Sequence, residues 1–199
     1  MSNALMSLIV AVVLVVVAAA ASLVWVSWAV KRETITPLTT LNAAGPTGKA
    51  LLVFHPGLSD FPDRVTAAFA DGLTQSGWQI DRTTASRQAP TDLKVYDLIV
   101  LGSPVYANAA AAPLRDYIAR AGDFHGKPVV VVLTAAGDAA VAIEATAAMV
   151  TSAHGKVVGR FGYTTMRPNK SDKTYPGSNA DKAVAMARDE GRLMLTKPE

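Results

Sequence analysis

The sequence contains no cysteine among its 199 residues. Disulfide bonds, iron–sulfur ligation and thiol catalysis are therefore excluded, so any redox chemistry must reside on a bound organic cofactor. Histidine is also scarce, because only His55, His125 and His154 occur and none has a second histidine at metal-ligand spacing. We expect no metal centre, and we interpret these three histidines as solvated turn residues.

A dominant patch of basic charge is also missing. The 19 lysines and arginines exceed the 16 acidic residues and give a net charge of +3, but the two signs are interleaved along the chain. Nucleic-acid binding is therefore not expected. The length suits one domain with an appendage and is too short for two full domains.

The first part of the chain lacks charge altogether. Residues 4–30 are almost entirely apolar, and a helix of about 20 such residues crosses the core of a bilayer. Trp25 and Trp28 lie at the far end, where indole rings settle at the membrane interface. We predict a transmembrane anchor over residues 1–32, with membrane lipid as its surroundings.

A cleaved signal peptide is the alternative, since the alanines at 18–21 offer a small-residue cleavage site. The apolar run is longer than a usual signal core and no basic side chain precedes it, which favours an uncleaved anchor. Lys31 and Arg32 flank only its C-terminal end. The positive-inside rule then predicts a single-pass protein of the plasma membrane with a cytoplasmic C-terminal domain.

The next segment, residues 33–48, is rich in threonine, proline and glycine and has no sustained apolar period. We predict a flexible linker there, with a reach of about 20 to 25 Å. The remaining residues, 49–199, form the predicted domain. Short apolar runs at 50–54, 78–84, 96–102, 129–133 and 156–164 alternate with helical patterns, of which the last covers 180–195. This alternation predicts an open parallel sheet with helices on both faces.

Ligands of such sheets bind beyond the carboxyl ends of the strands. Residues 55–62, 103–112 and 134–138 follow three predicted strands. No Gly-x-Gly-x-x-Gly motif follows the first strand, which argues against a dinucleotide-binding fold. A receiver domain would need an acidic cluster after the first strand and an aspartate after the third, and neither occurs.

The third strand ends in Gly-Ser-Pro-Val-Tyr, residues 102–106, with Pro113-Leu114 further on. Here the sequence resembles the flavodoxin family over about residues 49–199. The resemblance implies a flavodoxin-like five-stranded parallel sheet of order 2-1-3-4-5 and FMN as cofactor. It also implies flavin contacts from Ser103, Pro104, Val105, Tyr106, Ala107 and Asn108. Tyr106 would stack on the ring, or alternatively only cap the sheet.

The loop after the first strand takes the place of the family's phosphate loop. The resemblance implies cofactor contacts from Gly57, Leu58, Ser59, Asp60 and Phe61. The loop departs from the family pattern, because only Ser59 keeps a hydroxyl, Pro62 removes an amide and Asp60 adds a negative charge. An ordinary helix start, capped by Ser59 or Asp60, is the alternative. The third loop, Thr134, Ala135, Ala136 and Gly137, is predicted to form a wall beside the ring.

These features predict a membrane-tethered FMN-binding electron-transfer flavoprotein with no catalytic side chain. A flavin-dependent quinone or porphyrinogen oxidoreductase is one alternative, and a flavin-free accessory subunit of a membrane complex is another. We expect a membrane-bound redox protein or complex as partner. Arg167, Lys170 and Lys173 are a candidate docking surface for an acidic partner or anionic lipid, or else an ordinary solvated loop.

Overall fold

The computed structural model describes residues 3–169 and 175–194, and the chain divides into two compact units, Met1–Arg32 and Glu33–Glu199. The first unit contains helix α1 (Asn3–Ala29). Its stretch Ile9–Ala29 is long and apolar enough to cross a membrane, and none of that stretch is buried. A helix of this length and composition could span a membrane, and a signal sequence near an N-terminus has the same character.

The second unit is an α/β domain. Its strands are β1 (Thr39–Leu41), β2 (Gly48–Phe54), β3 (Trp78–Thr84), β4 (Leu98–Tyr106), β5 (Ala109–Ala110), β6 (Pro128–Ala135) and β7 (Lys156–Thr164). Its helices are α2 (Phe61–Gln75), α3 (Ala112–Ala121), α4 (Ala140–Ser152) and α5 (Asn179–Leu193). The sheet order is β1-β3-β2-β4-β6-β7, with β5 paired to β4 alone.

The predicted count of five strands is wrong, because the described residues form seven. The five long strands are parallel and follow the order β3-β2-β4-β6-β7, which is the predicted 2-1-3-4-5. The two additions are short antiparallel strands, β1 beside β3 and β5 beside β4. Neither has the length or the apolar alternation by which a strand is recognised in a sequence.

The segment predicted as a flexible linker lies along β3, and part of it forms the edge strand β1. The Thr36 amide donates to Thr84 Oγ1 at 3.0 Å, and the Thr84 amide donates to Thr36 Oγ1 at 3.2 Å. The Thr40 hydroxyl donates to the Asp81 carboxylate at 2.7 Å. The threonines of this segment, which led to the prediction of a flexible linker, therefore form hydrogen bonds with polar groups of β3 near the edge of the sheet.

The core lies on both faces of the sheet. Ala50, Leu52 and Phe54 pack in the cluster beneath α2 and α5, while Leu51 and Val53 point to the cluster beneath α3 and α4. Each fully buried leucine contributes roughly 1.5–3 kcal/mol of hydrophobic stabilisation. The continuous apolar run at 50–54 is thus the doubly buried strand that the sequence predicts.

The crossover from β3 to β4, residues 85–97, contains no helix. Buried Ala85, Ala89 and Leu93 fill the space that a helix would occupy. The Tyr117 hydroxyl on α3 donates to the Pro90 carbonyl oxygen at 2.7 Å and fixes the loop.

Candidate functional site

A cavity of about 290 Å³ opens where the parallel strands end, which we call the carboxyl end of the sheet. All three predicted loops contribute to it. The predicted residues among its walls are Leu58, Ser59, Phe61, Pro104, Val105, Tyr106, Thr134, Ala135 and Ala136. The topology therefore brings together side chains that lie up to 78 positions apart in the sequence.

The remaining predicted residues are outside the walls of the cavity, and two wall residues were missed. Those outside are Gly57, Asp60, Ser103, Ala107, Asn108 and Gly137, and those missed are Pro62 and Thr165. Thr165 directly follows β7, so the carboxyl-end rule that selected the other loops would have found it. Pro62 lies in the first turn of α2, beside Phe61.

The segment after Gly102 is a hairpin, whereas the sequence predicts a loop. Strand β4 continues through Tyr106 and turns back into β5. Ala107 and Asn108 form the turn with φ of 48° and 59°. Positive φ at both positions is typical of a two-residue hairpin whose twist matches its strands. The hairpin presents Pro104, Val105 and Tyr106 to the cavity and leaves Ala107 and Asn108 at its tip.

Ser103 serves the hairpin and has no free hydroxyl for a ligand. Its side chain is 1% exposed. The hydroxyl accepts a hydrogen bond from the Ala111 amide at 2.9 Å and donates to the Pro104 carbonyl oxygen at 2.8 Å. The Ser103 hydroxyl therefore has a structural role at the base of the hairpin.

Tyr106 reaches across to the loop that precedes α2. The Leu58 amide donates to the Tyr106 hydroxyl oxygen at 3.1 Å. Gly57, which precedes Leu58, has a φ of +74°. A Cβ at this position would come within 2.9 Å of both Pro104 Cγ and the Tyr106 hydroxyl oxygen. Glycine at 57 is thus required by backbone conformation and by this close approach.

Asp60 occupies the N-cap position of α2, as the alternative of an ordinary helix start predicts. Neither Ser59 nor Asp60 makes a side-chain capping bond, and Asp60 is in the helical region with φ of −72°. The Asp60 carboxylate is exposed and lies 3.8 Å from the Arg64 guanidinium. The first turn of α2 therefore presents backbone N–H groups that no capping side chain occupies, which favours a negative or polar group nearby.

Thr134 carries an unusual hydroxyl. The side chain is 2% exposed, and Oγ1 has no hydrogen-bond partner among the described residues. Leaving a buried hydroxyl unsatisfied costs about 1–3 kcal/mol. Thr134 is also one of the residues that line the cavity.

The wall formed by Ala135 and Ala136 is braced from the last strand. The Thr165 amide donates to the Ala135 carbonyl oxygen at 3.1 Å, and the Met166 amide donates to that of Ala136 at 2.8 Å. Arg167 follows, with Nε about 4.0 Å from the position that a Cβ on Gly137 would take. The other basic residues predicted for this loop, Lys170 and Lys173, lie outside the described residues.

The walls of the cavity carry no charged side chain within the described ranges. The prediction of a solvated turn residue is wrong for His55, because this side chain, directly after β2, is 2% exposed, and neither ring nitrogen has a described partner. Burial lowers the pKa of His55 to about 4, so the ring is neutral at pH 7. Burial also raises the pKa of Tyr106, more than the bond from Leu58 lowers it, which keeps its hydroxyl protonated. The cavity thus suits an uncharged, largely apolar group with polar atoms on its margin.

Comparison with solved structures defines the fold. The domain is similar to a flavodoxin from the domain Archaea, with 14% identity and a TM-score of 0.53 over 73% of this chain and 96% of that chain. An oxidoreductase from Corynebacterium diphtheriae has 16% identity and a TM-score of 0.53 over 77% of this chain and 100% of its own. Two-electron reduced flavodoxin from Megasphaera elsdenii has 14% identity and a TM-score of 0.50 over 70% of this chain and 98% of its own.

The sequence itself matches no family model and no curated protein. The structural neighbours establish that the chain has a flavodoxin-like fold, as the Gly-Ser-Pro-Val-Tyr segment predicts. At these identities the likeness concerns the fold alone.

Proposed function

We propose that this protein is a membrane-tethered flavoprotein that binds FMN at the carboxyl end of its sheet and carries electrons for a membrane-bound partner. The observation that supports it most strongly is the unpartnered, buried Thr134 hydroxyl in a cavity built by three strand ends. When bound, the flavin supplies one- and two-electron redox chemistry, which the cysteine-free chain does not itself offer.

The walls fit the ring system of a flavin. Leu58, Phe61 and Tyr106 offer apolar and aromatic surface, which a flat ring favours. The hydroxyls of Thr134 and Thr165 lie among the same walls and provide hydrogen-bonding groups for the polar atoms of a ring. At about 290 Å³ the cavity is at the lower limit for small-molecule sites. Residues of these walls would hold the ring part of a flavin rather than the whole cofactor.

The phosphate would be held by Ser59 and the first turn of α2. Backbone N–H groups at a helix start favour an anion. Asp60 opposes this with an exposed carboxylate, although Arg64 lies 3.8 Å from it and partly compensates the charge. The Leu58 amide is engaged by Tyr106. The loop thus supports modest phosphate affinity, and the ring contacts supply the larger share of binding.

The side chains around the ring have no acid–base role in this proposal. Tyr106 stays protonated because burial raises its pKa. The walls exclude water and orient the ring, and Thr134 can stabilise one redox state over another through its hydrogen bond. Electron transfer needs only that the ring be held close to the surface where a partner docks.

The tether is α1. Its stretch Ile9–Ala29 has the length and composition of a membrane span, and the Arg32 guanidinium lies 5.1 Å from the centre of the Trp28 ring. Such a cation–π pair suits the membrane–water interface. Together with Lys31, Arg32 favours a cytoplasmic domain on a single-pass plasma-membrane protein.

A flavin-free accessory subunit is the second candidate. The Leu58–Tyr106 hydrogen bond favours this candidate, because it occupies an amide of the loop before α2 in the absence of any ligand. The uncompensated part of the Asp60 charge favours it as well. In that case the fold would serve as a docking module for a membrane complex.

Titration of the detergent-solubilised full-length protein with FMN separates the two candidates. Flavin fluorescence should be quenched on binding, with saturation at one FMN per chain. A protein that leaves the fluorescence of added FMN unchanged, after any endogenous ligand has been removed, supports the accessory subunit and contradicts electron transport through flavin.

A further inference from the structure

Two buried hydroxyl groups occupy neighbouring strands near the carboxyl end of the sheet. Thr134 on β6 and Tyr163 on β7 are register partners in the parallel pairing of these strands. The two residues are 2% and 1% exposed. Neither hydroxyl has a hydrogen-bond partner, and no other buried hydroxyl within residues 3–169 and 175–194 lacks one. Buried polar groups are rarely left unpaired, so two such neighbours call for a common explanation.

Both side chains point to the same face of the sheet. Val130 and Val132 of β6 pack in the cluster beneath α2 and α5. Because side chains alternate between the faces of a strand, Thr134 points to that face as well. Tyr163 belongs to the same cluster. The two hydroxyls therefore border one region, and they do not bond to each other.

Three residues that line the cavity adjoin Tyr163. Thr134 lies opposite it on β6, Thr165 follows it by two positions, and Phe61 of α2 shares its core cluster. Tyr163 is outside the walls, but it is buried to nearly the same degree as Thr134, which does line the cavity. Tyr163 therefore belongs to the layer of side chains directly behind these walls.

The hydroxyl of Tyr163 keeps its proton. Burial raises the pKa of this group, and the charge of Glu190 on α5 raises it further. The neutral phenol can donate one hydrogen bond, and the Thr134 hydroxyl can donate another. A carbonyl oxygen has two lone pairs and can accept both. The pair therefore suits a carbonyl group, and the charge of Glu190 disfavours an anion.

We propose that the hydroxyls of Thr134 and Tyr163 form a subsite that binds a ring carbonyl of the flavin. The ring of a flavin carries its carbonyl groups on one edge, so the subsite orients that edge toward β6 and β7. This inference rests on the proposed flavin function. It adds Tyr163 to the residues that position the ring.

Riboflavin is the probe for this subsite, because it has the ring of FMN without the phosphate and so reports ring contacts alone. Tyr163→Phe removes the hydroxyl and keeps the aromatic ring in the core. Tyr117→Phe is the matched control, since Tyr117 is fully buried and its hydroxyl donates to the Pro90 carbonyl oxygen at 2.7 Å, on the other face of the sheet. Fluorescence titration of the full-length protein in detergent gives the riboflavin affinity, and urea unfolding of the flavin-free protein gives the midpoint.

We expect Tyr163→Phe to weaken riboflavin binding about three- to tenfold, because one hydrogen bond to the ring is lost. The urea midpoint of the flavin-free protein should be unchanged or higher, because the lost hydroxyl was unpaired. Tyr117→Phe should do the opposite, with a lower midpoint and unchanged binding. The infrared carbonyl bands of bound riboflavin provide a second readout, and in Tyr163→Phe one of them should shift to higher frequency.

Unchanged riboflavin affinity in Tyr163→Phe overturns the inference and leaves the flavin function standing. A lower midpoint in that case would show that buried water pairs the hydroxyl and that the group serves the fold. Weaker binding with unshifted carbonyl bands also overturns the inference, because the effect of the hydroxyl would then be indirect. A wild-type protein that binds neither FMN nor riboflavin refutes the proposed function and the subsite together.

Discussion

The Leu58 amide donates a hydrogen bond of 3.1 Å to the Tyr106 hydroxyl, 48 positions further along the chain. This bond joins the hairpin at the end of β4 to the loop that opens α2. It also occupies a backbone N–H in the very loop where a phosphate would bind. The two residues therefore join the wall proposed for the ring to the loop proposed for the phosphate, and changing one should alter selectivity between flavins.

Tyr106→Phe should shift selectivity toward FMN over riboflavin. The change keeps the aromatic wall and frees the Leu58 amide for phosphate. A net hydrogen bond of about 0.5–1.5 kcal/mol corresponds to a two- to tenfold gain in the ratio of the two affinities. Fluorescence titrations with FMN and riboflavin measure that ratio. A ratio unchanged from the wild type would show that this amide takes no part in phosphate binding.

Thr134→Val should weaken flavin binding while leaving the empty protein at least as stable. Removing an unsatisfied buried hydroxyl relieves a cost, so the free energy of unfolding should be unchanged or rise by about 1 kcal/mol. Losing its bond to the ring should reduce FMN affinity by about three- to tenfold. Urea unfolding in detergent and FMN titration measure the two quantities.

The control for that variant is Thr151→Val on α4, whose hydroxyl donates to the Ala147 carbonyl oxygen away from the cavity. It should leave FMN affinity unchanged. A Thr134→Val protein that is destabilised by more than about 1 kcal/mol and binds FMN normally would mean that the hydroxyl serves the fold.

The sequence predicted the long strands and the meeting of their loops because both depend on general rules. A buried parallel strand needs a continuous apolar run, and parallel strands end at one side of the sheet. Leu58, Tyr106 and Ala135 therefore lie in one cavity as predicted. The order of the strands alone is enough to predict that these loops lie side by side.

What the sequence did not predict depends on particular hydrogen bonds. Thr36 and Thr40 look like linker residues, but their hydroxyls find partners on β3. Ser103 resembles a ligand contact, but its hydroxyl meets the Ala111 amide once the hairpin closes. These hydrogen bonds join residues that are separated in the sequence, so a local sequence pattern does not predict them.

His55 should make the folded state sensitive to mild acid. Its pKa is lowered by burial to about 4 in the folded state, against 6.5 for the ordinary side chain. Between these values the unfolded chain binds more protons than the folded one, so stability rises with pH. The contribution of the neutral His55 ring to the free energy of unfolding is fully present above pH 6.5 and is lost as the pH falls toward 4. In total it is on the order of 3 kcal/mol.

Chemical denaturation at several pH values, in detergent, measures this slope in the wild type and in His55→Gln. The variant cannot titrate at this site, and its slope between pH 6.5 and 4 should flatten whatever its absolute stability. His154→Gln is the control, because that side chain is 77% exposed. An unchanged slope in His55→Gln would place the acid sensitivity elsewhere.

The visible absorption spectrum of the full-length protein, purified from its membrane in mild detergent, tests the central claim most directly. A flavin at the carboxyl end of the sheet predicts the two visible bands of oxidised flavin, bleached by dithionite, and FMN released by denaturation at about one per chain. A colourless protein that releases no flavin and binds no added FMN would contradict the account and leave an accessory subunit with a flavodoxin-like fold.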